Sequence, residues 1–139
     1  MIYVIENSLE RQFELLQHIC TLHKVEFCFW LYPDFDDTKF LGVEIVQSNL
    51  EPVTVYADGA IPFHTPKQLC THEVLEKNKL SHSELRIGCD SVALYKHGEN
   101  TWLACTIGHE GMCLVRDDAI LHELNTVGFN ATTDAPSWW

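Results

Sequence analysis

Apolar residues along the chain fall into short runs and stripes, and their spacing predicts the elements. "IYVI" at 2–5 is a short apolar run and predicts a strand. After it, Asn7 and Glu10 stand three apart, the spacing of a capping box. Leu9, Phe13, Leu16 and Cys20 follow at helical spacing, widened by Leu15, Ile19 and Leu22, which predicts a helix over about 8–23. "VEFCFWLY" at 25–32 is aromatic and β-branched, the composition of a central strand. "PDFDDTK" predicts a turn, and "FLGVEIVQ" at 40–47 the strand returning from it.

In the middle of the chain, Asp58-Gly59 favours a tight turn, so a short hairpin is expected over 53–63, with Pro62 on a sheet edge. In "FHTPKQLC", Thr65 has the chemistry of an N-cap, Pro66 of a first helical residue and Gln68 of a capping box. A second helix is therefore expected from Thr65 to about Lys79, with only Leu69, Val74 and Leu75 as strong apolar contacts. "SVALYKH", "TWLACTIG" and "MCLV" are joined by "GEN" and "HEG", the pattern of a three-stranded antiparallel meander. Asp117 is placed to cap a last helix, "DAILHELNTV". Gly128 is placed to end it in a left-handed conformation, with Phe129 contacting Leu124. Together these predict a single α+β domain over 1–139. It has an antiparallel sheet of five to seven strands, two main helices and a C-terminal helix packed on it, and a short aromatic tail over 130–139.

Charge narrows the function. Nine Lys and Arg face 20 Asp and Glu, a formal net charge of −11. The basic residues are scattered, with only "KNK" at 77–79 as a cluster. Nucleic-acid binding needs a basic footprint, and anionic membranes repel an acidic surface, so neither partner is expected. A basic protein partner fits the field, because opposite charges speed association. The longest apolar runs are about eight residues near "VEFCFWLY", against roughly 20 for a membrane helix. The start, "MIYVIENSLERQ", lacks the pattern of a signal peptide. With Cys20, Cys28, Cys70, Cys89, Cys105 and Cys113 scattered and no C-x-x-C pair, a cytoplasmic protein with reduced thiols is expected.

The densest chemistry is "CTIGHEGMC" at 105–113. Its residues read as a hairpin turn: His109 and Glu110 at the tip, and Gly111 in a left-handed bulge position. A three-residue loop pairs Ile107 with Cys113 and Cys105 with Val115. The two cysteines then share a face at a diagonal distance of about 7–8 Å, too far for an unstrained disulfide. A two- or four-residue loop puts them on opposite faces.

Other clusters fail on spacing. Cys20 and His23, with Cys28, Cys70 and His72, match no zinc pattern. Asp34, Asp36 and Asp37 lack the glycine and glutamate of a calcium loop. A PD-(D/E)xK nuclease reading built on Glu44 meets Val46 where the lysine belongs. No phosphate loop, dinucleotide fingerprint, nucleophile elbow or H-E-x-x-H is present. No metal, cofactor or catalytic residue is therefore assigned.

The expected function is a non-enzymatic acidic binding protein. In overall character alone (small, acidic and without catalytic motifs) the chain is similar to immunity proteins and inhibitors of nuclease toxins. The residues assigned to a partner are Asp34, Asp36, Asp37 and Glu110 on exposed turns, and Trp138 and Trp139 in the tail, since Trp is favoured at interface hot spots. The rival expectation is a small enzyme or small-molecule-binding domain with a His/Cys-lined cleft. A homo-oligomer joined through sheet edges or the tail is a third.

Overall fold

A computed structural model describes residues 1–31, 44–45, 50–51, 53, 68–71 and 89–139, with the backbone alone at 30–31, 44–45, 68–71 and 89–90. The strands are β1 (Ile2–Ile5), β2 (Val25–Leu31), β3 (Glu44–Ile45), β4 (Gln68–Thr71), β5 (Cys89–Lys96), β6 (Trp102–Ile107), β7 (Met112–Val115) and β8 (Ala131–Thr132). The helices are α1 (Leu9–Leu22) and α2 (Leu121–Thr126), the latter entered through a 3-10 turn at Asp118–Ile120. The strands form one open sheet in the order β3-β4-β2-β5-β6-β7-β1-β8, and every pairing is antiparallel. This is the α+β architecture. Six strands of four or more residues meet the expected five to seven, and among the described residues the two-residue edge strands β3 and β8 are added to them.

The sheet carries a core on each face. One face holds Ile2, Val4, Val25, Phe27, Phe29, Val92, Leu94, Ala104, Cys113 and Val115 against Leu15, Leu16 and Ile19 of α1 and Leu124 of α2. The other holds Cys28, Ala93, Tyr95, Trp102, Cys105, Ile107 and Leu114 with Val53, and Tyr3, Leu50 and Trp139 pack against it. Burial on both faces explains why β7 is a continuous apolar run and β6 is apolar but for Thr106, with every residue of both buried. Helix α1 links β1 to β2, which have three strands between them in the sheet.

Helix α1 starts at Ser8, whose Oγ accepts from the Arg11 N–H at 3.4 Å. The expected cap, Asn7, is engaged elsewhere: its side chain lies against Gly111. The buried stripe of α1 is Gln12, Leu15, Leu16 and Ile19. Gln12 is tolerated there because its Nε2 donates to the Glu6 carbonyl at 2.7 Å.

Two expectations change. The helix expected from Thr65 is a strand at Gln68–Thr71, with Phe27 opposite Cys70 on one side and Glu44 opposite Leu69 on the other. A segment set between two strands gains a backbone ladder on both edges, which outweighs local capping chemistry and a thin apolar stripe. The rest of that expected helix, and the hairpin expected at 53–63 beyond Val53, lie outside the described residues. The strand at 44–45 also does not return beside β2; it pairs with β4, which sits between them.

At the other end the expected elements are present, although the last helix is shorter than expected, six residues entered through a 3-10 turn. The meander β5-β6-β7 is present, with Gly111 left-handed at φ 63. Asp117 caps the 3-10 turn, accepting from the Ala119 N–H at 3.1 Å. Past α2, Gly128 has φ 93. Its N–H donates to the Asn125 carbonyl, and the Phe129 N–H to the Leu124 carbonyl, the two bonds of a Schellman cap.

Candidate functional site

The β6–β7 connection answers whether "CTIGHEGMC" is a site. Ile107 pairs with Met112 and Cys105 with Leu114, so the loop has four residues, not three. Gly108–Glu110 form a 3-10 turn, and Gly111 closes it by donating to the Gly108 carbonyl at 3.2 Å. One residue of register moves Cys113 to the helix-covered face and leaves Cys105 on the other. The shared-face arrangement expected from a three-residue loop is thereby overturned. At the tip, the exposed His109 places Nε2 3.6 Å from Oε1 of the half-buried Glu110.

The thiols of Cys20, Cys105 and Cys113 are withdrawn from chemistry. Cys28, Cys105 and Cys113 are buried, and none of the four cysteines with described side chains, these three and Cys20, is in a disulfide. Burial pushes the Cys105 thiol up to about 12 and holds that of Cys113 well above its ordinary value. On α1, Cys20 donates to the Leu16 carbonyl at 3.0 Å, and burial raises its thiol to about 12. A thiol held protonated is a poor nucleophile and a poor metal ligand near neutral pH.

Four of the described histidines lie beside carboxylates, His109 among them. His18 Nε2 is 3.1 Å from Glu123 Oε1, and His23 Nε2 is 3.1 Å from Asp117 Oδ2. His97 Nδ1 is 3.3 Å from Glu26 Oε1. The first two pairs tie α1 to the C-terminal helical segment. Arg11 reinforces that seam, donating to the Gly128 carbonyl at 2.9 Å with its guanidinium 4.4 Å from the Phe129 ring centre. His23 therefore reaches away from Cys20 to Asp117, and among the described residues no group of three metal-ligating side chains forms.

A shallow hollow of about 210 Å³ lies at the end of the β5–β6 hairpin, lined by Lys96, Glu99, Thr101, Trp102, Leu103 and Arg116. Arg116 is already engaged there. It donates to Glu51 Oε2 at 2.6 Å and lies 4.8 Å from the Trp102 ring centre. The hollow falls below the roughly 300 Å³ at which small-molecule sites begin.

Of the residues assigned to a partner, Asp34, Asp36 and Asp37 lie outside the described residues. Glu110 stands on the hairpin turn. Trp138 and Trp139 lie together, ring centres 6.1 Å apart and edge to face, but their environments differ. Trp139 packs edge to face on Tyr3 at 6.2 Å and joins the second core. Trp138 remains 55% exposed. Tyr3 and Ile5, two residues apart on one strand and hence on one face, extend this aromatic end; Ile5 is 36% exposed. Sequence reasoning missed both, since a run such as "IYVI" does not show which of its residues faces the second core. No protein-family model, curated protein or solved structure matches the chain. Among the described residues, no helix is long and apolar enough to cross a membrane.

Proposed function

We propose that this chain is a non-enzymatic, cytoplasmic binding protein whose acidic surface holds a basic protein, in the manner of immunity proteins that neutralise nuclease toxins. The observation that carries the reading is the net charge of −11. The two arginines among the described residues support it. Both are engaged in internal contacts, Arg11 with Glu6, Glu14 and Phe129, and Arg116 with Glu51 and Trp102, so neither is an unpaired cation facing a basic partner. The protonated thiols of Cys20, Cys105 and Cys113 fit a chain that binds without covalent chemistry. A cytoplasmic setting is supported by the free state of Cys20, Cys28, Cys105 and Cys113.

The test is affinity capture on the purified chain, followed by kinetics with each repurified partner at 50 and 300 mM salt. The expected partner has a basic isoelectric point, and its association slows at least about tenfold at the higher salt. Partners that are all neutral or acidic, or association indifferent to salt, overturn the reading.

A further inference from the structure

The tail residues divide into an anchor and a reader. Trp139 is fixed: its backbone N–H donates to the Pro136 carbonyl at 3.0 Å, and its ring sits on Tyr3 over the second core. Tyr3 in turn is held in the sheet, opposite Leu114 on one side and Thr132 on the other. Trp138 is braced by Trp139 and yet open to solvent. An exposed ring that is already positioned loses little further entropy when it is covered, which is how aromatic anchors serve interfaces.

Among the described residues, two other rings hold an arginine: Phe129 holds Arg11, and Trp102 holds Arg116. Among the described residues, no cation is seated on Trp138. The surroundings favour one. Asp134 is exposed on the same tail, and the whole chain is strongly acidic. We infer that the aromatic end formed by Trp138, Trp139, Tyr3 and Ile5 is the docking surface for an arginine-bearing segment of a basic protein, with Trp138 as the ring that takes the guanidinium. This inference rests on the basic-partner reading above and names its surface. Arginine is preferred to lysine because its planar, weakly hydrated head stacks on an aromatic face.

The experiment uses the whole chain at 150 mM salt, with hexa-arginine and hexa-lysine peptides as probes. The indole N–H signals are followed by NMR, and the Trp138 signal is assigned by its loss in Trp138→Ala. Hexa-arginine is expected to shift the Trp138 indole most and to bind more tightly than hexa-lysine. Trp138→Ala and Trp138→Leu are expected to weaken hexa-arginine binding about three-fold or more with unchanged melting temperature. The leucine variant keeps apolar bulk without a π face, so binding retained by Leu overturns the role of the ring. Equal binding by all three proteins overturns the surface and leaves the basic-partner reading standing. Failure of both peptides to bind even at 50 mM salt overturns that reading, and the surface with it. A wild-type dimer that Trp138→Ala abolishes shows that a second copy covers the surface, and also overturns the inference.

Discussion

At the scale of the residue, two glycines and the buried thiols give sharp expectations. Gly111 has φ 63, and a Cβ there would run into the side chain of Asn7. Gly111→Ala is expected to cost about 2 kcal/mol or more, since left-handed backbone alone costs roughly 1–2 kcal/mol. Gly128 has φ 93 but nothing within 4 Å of an added Cβ. Gly128→Ala is expected to cost only the conformational term, about 1 kcal/mol. Urea unfolding of the two variants checks the difference. The thiols set a pH dependence. Cys105 stays protonated in the fold to about 12 but ionises near 9.0 once unfolded. The unfolded state then binds fewer protons above pH 9, so stability falls as pH rises between about 9 and 12 and is unaffected by this group below 9. The loss is about 1.4 kcal/mol per pH unit from this thiol. Cys113, buried and raised in the same direction, adds to it. Cys105→Ala is expected to flatten the slope of unfolding free energy between pH 9.5 and 10.5 by about that amount.

At the scale of the element, the C-terminal segment is held by its caps and by one buried side chain. Leu124 is fully buried on the helix-covered face, while Val127, one residue before the cap glycine, is 44% exposed. Leu124→Ala is expected to cost about 2–5 kcal/mol, and Val127→Ala to stay within about 0.5 kcal/mol. Asp117→Ala removes the acceptor for the Ala119 N–H and is expected to cost about 1 kcal/mol. Thermal or urea unfolding checks all three. These elements were legible because their signals are local: a cap, a left-handed glycine and an apolar residue lie within a dozen positions. Helix α1 was legible for the same reason, although its cap is Ser8 because Asn7 is drawn to the Gly111 turn. The strand at Gln68–Thr71 was not legible. Its own residues favour a helix start, and only its two neighbours, brought in from elsewhere in the chain, make it a strand.

At the scale of the whole molecule, charge governs expected behaviour. With −11 formal charges, no binding to duplex DNA or RNA is expected at physiological salt. A mobility-shift assay showing micromolar affinity that weakens with salt would contradict the reading of the charge. Within the proposed function, replacing Asp34, Asp36 and Asp37 together by Asn is expected to slow association with a basic partner several-fold. Dissociation should change less, because such charges act mainly on encounter. Stability is expected to shift by no more than about 0.5 kcal/mol. Stopped-flow association and urea unfolding of the triple variant check both statements.

Sequence by itself determined the α+β class, the first helix, the antiparallel meander and the Schellman cap. Each depends on periodicity or on residues close together in the chain, where backbone sterics and capping bonds act. Tertiary structure decided the rest. The neighbour order β4-β2-β5 joins residues far apart in sequence, and no local pattern encodes it. A single residue of loop length at 108–111 decided that Cys105 and Cys113 face opposite cores, because side chains alternate across a strand. Two identical adjacent residues, Trp138 and Trp139, received opposite environments because only one of them meets Tyr3, more than a hundred positions away. Whether a side chain anchors the fold or is left to meet a partner depends on which surface arrives beneath it, and that surface is assembled only when distant strands pair.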